Sequence, residues 1–252
     1  MCQAFSGLLD RERGVLWKMG VDSHSELVDE FKLRDNTDRK DGMTFARFEI
    51  TPVNKDYLYP DKWTFTLDER IKPTWWNEGC EMLCWEAHKE WERELDKVLV
   101  RKPMVHPLTG RTPPERITKK HLSILKQWDS VWDSVWASVG NSVWDSVGDS
   151  VGDSVWDSVW ASVGNSVGNS VWDSVRDSVG ASVWDSVWAY TSSFFTLPRS
   201  EWKYTGNIEC DTDNPFQPCI DLWELGLVPS FDGKTWRLHG GKDARILWEG
   251  TV

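Results

Sequence analysis

The sequence predicts an α+β protein in which two small modules flank a short β-solenoid built from tetrapeptide repeats. Three observations predict it. Residues 128–187 are fifteen unbroken copies of a four-residue unit, Trp-Asp-Ser-Val in its commonest form. That period suits neither a continuous α-helix nor one long strand. The residues on either side switch between apolar patterns of period 2 and period 3.6, the mark of mixed strand and helix. Four segments follow: an N-terminal α+β domain over 1–100, a connector over 101–127, the array over 128–187, and a C-terminal cap with a small α+β module over 188–252.

The N-terminal domain reads in the order ββαββα. Residues 3–9 and 14–18 form a hairpin about Asp10-Arg11-Glu12-Arg13. A helix spans about 24–33, with Ser23 and Glu26 at capping-box spacing and Leu27, Val28 and Phe31 on its apolar face. Residues 44–51 alternate, with Phe45 and Phe48 on opposite faces, and stop at Pro52. Residues 63–67 place Trp63, Phe65 and Leu67 on one side of a strand. A longer helix over 78–98 carries Cys84, His88, Trp91, Leu95 and Val98 as one stripe. The connector holds Pro103, Pro107, Pro113 and Pro114, then a short helix over 114–127 that leads into the array and caps its first coil.

Within the array, Ser and Val are invariant at the third and fourth places. The first place is Trp eight times, Gly six times and Arg once, at Arg176; the second is Asp nine times, Ala three times and Asn three times. In a helix each copy advances about 400°, so the Val row drifts roughly 40° per copy. The composition also costs on the order of 30 kcal/mol against polyalanine over the array. A strand rarely passes about ten residues. A coil of four units remains, with Val inward and Ser at the corners. At a strand spacing of about 4.8 Å, almost four coils make a rod of roughly 18 Å. The variable places then face outward. They form a candidate interaction surface of Trp128, Trp132, Trp136, Trp144, Trp156, Trp160, Trp172 and Trp184 with Asp129, Asp133, Asp145 and Asp157. Single-base codon changes in a drifting DNA repeat produce the same variation without selection.

Beyond the array, Trp188-Ala189-Tyr190-Thr191 and Phe194-Phe195 plug its far end. Residues 196–214 are irregular and 216–227 form a short helix. Residues 230–234 are a loop, and 235–239 pairs with 244–248 across Gly240-Gly241-Lys242-Asp243.

The net charge is −11; nine Asp and Arg176 place −8 of it on the array, leaving −3 from 31 acids and 28 bases elsewhere. Eight charges on a rod of roughly 18 Å approach the spacing of duplex DNA, about one per 1.7 Å. Mimicry of DNA is one reading of that acidity and solubility is the other. Direct nucleic-acid binding is disfavoured. Cys2, Cys80, Cys84, Cys210 and Cys219 make no disulfide framework, and no apolar run reaches 18 residues. The chain reads as reduced and cytoplasmic, with no place in a membrane.

No catalytic or cofactor signature is present, and no cofactor or metal is expected. Cys2 invites comparison with amidohydrolases that use an N-terminal cysteine, a chemistry that needs a base beside the thiol and an oxyanion site. Those related to glutamine amidotransferases begin Cys-Gly, whereas here Gln3 follows. Cys80, Cys84 and His88 lie four apart on one helical stripe and cannot alone surround a metal, so they read as a packed face. Asp22-Ser23-His24 is a helix start rather than a triad fragment. Gly240-Gly241 is a turn rather than a phosphate loop.

The array resembles pentapeptide-repeat proteins, which wind into a square right-handed β-helix; the period of four limits this to architecture. The flanks, MCQAFSGLLDR, WKMGVDSHSELV and FARFEITP at the start and DLWELGLVPSFDGKTWRLHGGKDARILWEG at the end, are similar to uncharacterised proteins with SVWDSV-type arrays from bacteriophage and uncultured-bacterial genomes. The resemblance spans nearly the whole chain and implies no activity. It places a phage-encoded copy in the host cytoplasm. The leading expectation is a non-enzymatic repeat protein that binds a protein partner or assembles with itself through the solenoid. The alternatives are a small hydrolase or transferase using Cys2, and an acidic DNA mimic.

Overall fold

Alternation at period 2 builds the first sheet. Its strands are β1 (Phe5–Asp10), β2 (Gly14–Leu16), β3 (Phe45–Pro52) and β4 (Trp63–Leu67), all antiparallel in the order β2-β1-β3-β4. The computed structural model describes residues 5–34, 42–53, 63–135, 139–175 and 182–252, apart from the side chains of 154, 166 and 175. The chain divides into two units, residues 1–99 with 148–159 and residues 100–147 with 160–252.

In the first unit the pleat sends Phe5, Gly7, Phe48 and Phe65 to one face of the sheet. Helix α2 (Glu78–Leu95) covers that face, its His88 and Trp91 rings 5.5 and 5.3 Å from Phe5. Gly7 is required there, because a Cβ would come within 2.3 Å of the Phe48 ring. On the other face, Leu8 and Phe45 close a core with Leu27 of helix α1 (His24–Glu30). The capping box expected of Ser23 does not form: its hydroxyl bonds to that of Ser25 instead. The start of α1 is held by His24, whose Nε2–H donates to the Phe48 carbonyl at 3.0 Å. Helix α2 does have a cap, with Asn77 accepting the Gly79 N–H at 2.9 Å.

The solenoid is not found. From Trp128 onward the described array is helical, in the end of α3 (Lys119–Ser134), then α4 (Val139–Val151), α5 (Asp153–Val163), α6 (Asn169–Val175) and the start of α7 (Ser182–Ser192), with no strand among its described residues. The expectation failed because it weighed the drift of the Val row along one continuous helix. These helices are short, and three steps of roughly 40° leave the row within the wide apolar stripe of a buried helix. The chain also resets the phase between them. Gly152 breaks α4 from α5 at φ +91°, a left-handed conformation that glycine enters without strain. Residues 164–168 form a π-turn, whose i→i+5 bonding puts more residues in each turn and rotates the row backward. Every array valine with a described side chain is buried. Some serines are satisfied within the helices: Ser130, Ser134 and Ser174 donate to the carbonyl four residues back at 3.1, 2.7 and 2.7 Å, whereas Ser142 and Ser182 donate to the Lys203 and Phe231 carbonyls beyond the array.

In the second unit, α3 packs on α8 (Gln217–Glu224), and α7 packs on α8 and on β5 (Leu227–Phe231). β5 opens an antiparallel sheet with β6 (Trp236–Gly240) and β7 (Arg245–Gly250). β5 falls where the sequence suggested a helix end and a loop. Its Pro229 argues against a strand, but β5 lies at the sheet edge, where a missing N–H breaks no ladder.

Candidate functional site

The array side chains are mostly packing groups. Trp128 and Trp156 are fully buried. Trp132 is half-buried; its indole N–H donates to Asp185 at 2.9 Å and its ring meets Phe231 and Trp236 edge-on. Trp160 stacks on Trp188 at 3.8 Å, and Trp172 on Trp184 at 5.9 Å. Trp144, at 37 %, is the exposed tryptophan among the described array members. Trp136 lies outside the described residues. Asp129 and Asp145 are half-buried and accept from Trp236 Nε1 at 2.7 Å and the Tyr204 hydroxyl at 2.8 Å. Asp133 and Asp157 are exposed. The glycines at the first place make room: a Cβ on Gly140 would lie 3.1 Å from the Trp188 ring, and one on Gly168 would lie 3.1 Å from Val187 and 3.3 Å from the Trp184 ring.

The candidate nucleophiles are packed away or out of view. Cys2 lies outside the described residues. Cys84 is buried, and burial, with Cys80 and Glu81 nearby, pushes its thiol up to about 12. That is the reverse of what a reactive thiol needs. Ser230 and His239 make a hydroxyl–imidazole pair at 2.7 Å, and His239 Nδ1–H donates to the Ala244 carbonyl at 3.1 Å. Both residues are almost fully buried in the sheet, so the pair ties β5 to β6 and offers no reacting surface.

The second unit does contain a ligand-sized cleft of about 540 Å³. One wall is the face of α3 formed by Gln127, Ser130, Val131 and Ser134, at helical i, i+3, i+4, i+7 spacing. The opposite wall is the loop 207–212 and the first turns of α8, with Gln217, Pro218 and Asp221. The loop is held from behind. The Arg199 guanidinium donates to the carbonyls of Thr205 at 2.5 Å and Ile208 at 3.2 Å, and Thr212 Oγ1 donates to the Asn214 carbonyl at 2.8 Å. Asn214 Oδ1 in turn accepts the Phe216 N–H that leads into α8. Glu209, Asp211 and Asp221 are exposed at this cleft, and no Lys, Arg or His is among its lining residues. Val131 and Ile208 supply an apolar floor. The arrangement has acceptors and negative charge around a small apolar base, which suits a cation with a hydrocarbon stem.

Sequence reading missed this cleft, since 127–134 and 207–221 are far apart in the chain and neither carries a motif. The one local signal was acidic density over Glu209, Asp211, Asp213 and Asp221. No helix among the described residues is long and apolar enough to cross a membrane. No family model, curated protein or solved structure matches the chain.

Proposed function

We propose that the protein is a non-catalytic binding protein whose helical array is scaffold, and that the acidic cleft of the second unit receives a basic segment of a protein partner. The observation that carries this reading is the cleft itself, about 540 Å³ with three carboxylates and no cationic side chain in its lining. That volume is within the range of about 300–1,000 Å³ usual for ligand sites. A lysine or arginine stem fits the apolar floor while its head meets Glu209, Asp211 or Asp221. The covered array tryptophans favour scaffold over contact surface. The comparison of charge spacing with DNA rested on the coiled rod and loses its basis with it.

The test is binding of a fluorescein-labelled Lys/Arg-rich peptide, followed by anisotropy at two salt concentrations. Binding is expected to weaken with salt. The triple variant E209Q/D211N/D221N is expected to lose at least about tenfold, equal to about 1.4 kcal/mol. A charge-matched control, E81Q/E86Q/E90Q on the exposed face of α2, is expected to change it little. Equal losses in both variants would mean that the peptide responds only to net charge, and the assignment of the cleft would fall.

A further inference from the structure

The first unit holds a second constellation, independent of the cleft. We propose that His24, Glu49 and Asp68 bind one divalent first-row transition-metal ion. Their ligand atoms, one ring nitrogen and two carboxylate oxygens, all lie within 4.8 Å of one another. His24 Nδ1 is 3.2 Å from Asp68 Oδ2. Two ligands at metal bonds of about 2.1 Å and angles between the octahedral and tetrahedral values stand about 3.0–3.4 Å apart, so this pair already has the spacing of adjacent ligands.

The imidazole is oriented as a ligand. Its Nε2–H is committed to the Phe48 carbonyl at 3.0 Å. Metal-binding histidines characteristically donate their second N–H to such an acceptor, which fixes the ring and leaves the other nitrogen for the ion. With that bond made, both ring nitrogens face acceptors, so a positive centre belongs between Nδ1 and the carboxylates. With Asp68 at 3.2 Å and Glu49 in the same cluster, a metal ion at Nδ1 would be served by both carboxylates. Two carboxylates and a neutral imidazole balance a 2+ charge.

The three donors come from separate, fixed elements. His24 begins α1 and Glu49 sits in β3. Asp68 directly follows β4, its N–H bonded to the Arg47 carbonyl at 3.0 Å. Arg47, on the same face of β3 as Glu49, bonds through its guanidinium to Glu69 at 3.1 Å. The site is graded from inside to outside: the His24 side chain is 7 % exposed and that of Asp68 57 %. An ion held at the base by His24 would therefore keep water at its outer positions. The mixed nitrogen and oxygen donors select Mn²⁺, Fe²⁺, Co²⁺ or Zn²⁺ over Ca²⁺ or Cu⁺.

The test uses the full chain, stripped with a chelator and dialysed. Titration with Co²⁺ followed by visible absorption, and with Zn²⁺ by calorimetry, is expected to give one ion per chain. Ligand-field bands should appear without a thiolate charge-transfer band. Glu49→Gln and Asp68→Asn should each weaken binding at least tenfold while circular dichroism stays unchanged; both replace partly or largely exposed side chains, so the fold survives. Failure to bind either ion, unchanged affinity in both variants, or a charge-transfer band marking cysteine ligands would each overturn the proposal. Loss of thermal stability in Asp68→Asn without metal affinity in the parent would identify the cluster as an ion pair instead.

Discussion

Identical residues in this array have unequal roles. The valines were legible from the sequence as the inward row, because an invariant apolar residue in a repeat has to be covered, and burial at every described copy follows. The tryptophans were not legible, because the fate of the first position depends on what stands opposite. Trp156 is enclosed, whereas Trp144 reaches solvent. Trp156→Ala is therefore expected to cost about 3–5 kcal/mol, the range for removing a buried aromatic. Trp144→Ala should cost a small fraction of that. Denaturant unfolding of the two variants measures both, and comparable losses would show that Trp144 is also a core group. The same logic explains the array aspartates. Burial raises the Asp185 carboxyl above its ordinary range, opposed by the Trp132 N–H that it accepts, so this residue is a structural acceptor rather than a surface charge.

At the scale of the element, the sequence revealed the flanks better than the array. Period-2 alternation located β3 and β4, and a 4-3-4-3 stripe located α2. Strand β5 was hidden by Pro229, whose tolerance depends on an edge position that only the folded sheet defines. The array was misread as a coil because a drift of roughly 40° per copy was compared with a helix of unlimited length. Breaks make the difference, and they make a prediction. Gly152→Ala places a side chain at φ +91° and is expected to destabilise by about 1 kcal/mol or more. Gly164 has a helical backbone and nothing within 4 Å of an added Cβ. Gly164→Ala is therefore expected to be neutral or stabilising by up to about 1 kcal/mol. Thermal unfolding of the pair would expose a wrong account of the breaks if both variants shifted in the same direction.

For the whole molecule, the chain order hides both candidate sites. The cleft joins residues near 130 to residues near 210, and the His24 cluster joins positions 24, 49 and 68 across three elements. Neither spacing follows a local motif, so no reading of neighbours along the chain finds them. Stability of the second unit should depend on pH through its histidines. Burial lowers the pKa of His239, with Arg237 adding to the shift and the Ala244 bond opposing it; burial alone lowers His106. Both therefore stay neutral in the folded state while the unfolded chain takes up protons below about pH 6.5. Their contribution is complete above that pH and is lost as pH falls toward the folded values. The raised Asp185 carboxyl acts with the opposite sign: its contribution is complete below its ordinary value of 3.8 and is lost as pH rises through the raised folded value. Midpoints measured from pH 7.5 to 5 should fall with acid, and His239→Gln should flatten the fall; a midpoint independent of pH across that window would contradict the buried-histidine account.

The pairing of Gly140 with Trp188 and of Gly168 with Trp184 also bears on how such an array can vary between generations. A tandem DNA repeat readily gains or loses whole units by slippage. In this fold each unit is about 6 Å of rise and slightly more than one turn. One unit more or fewer between the two glycines and their tryptophans would set a bulky ring against a position without room for it. The first place of the unit varies along the array, but Gly140 and Gly168 each face a bulky neighbour across the helices, so a change of copy number is expected to destabilise this packing.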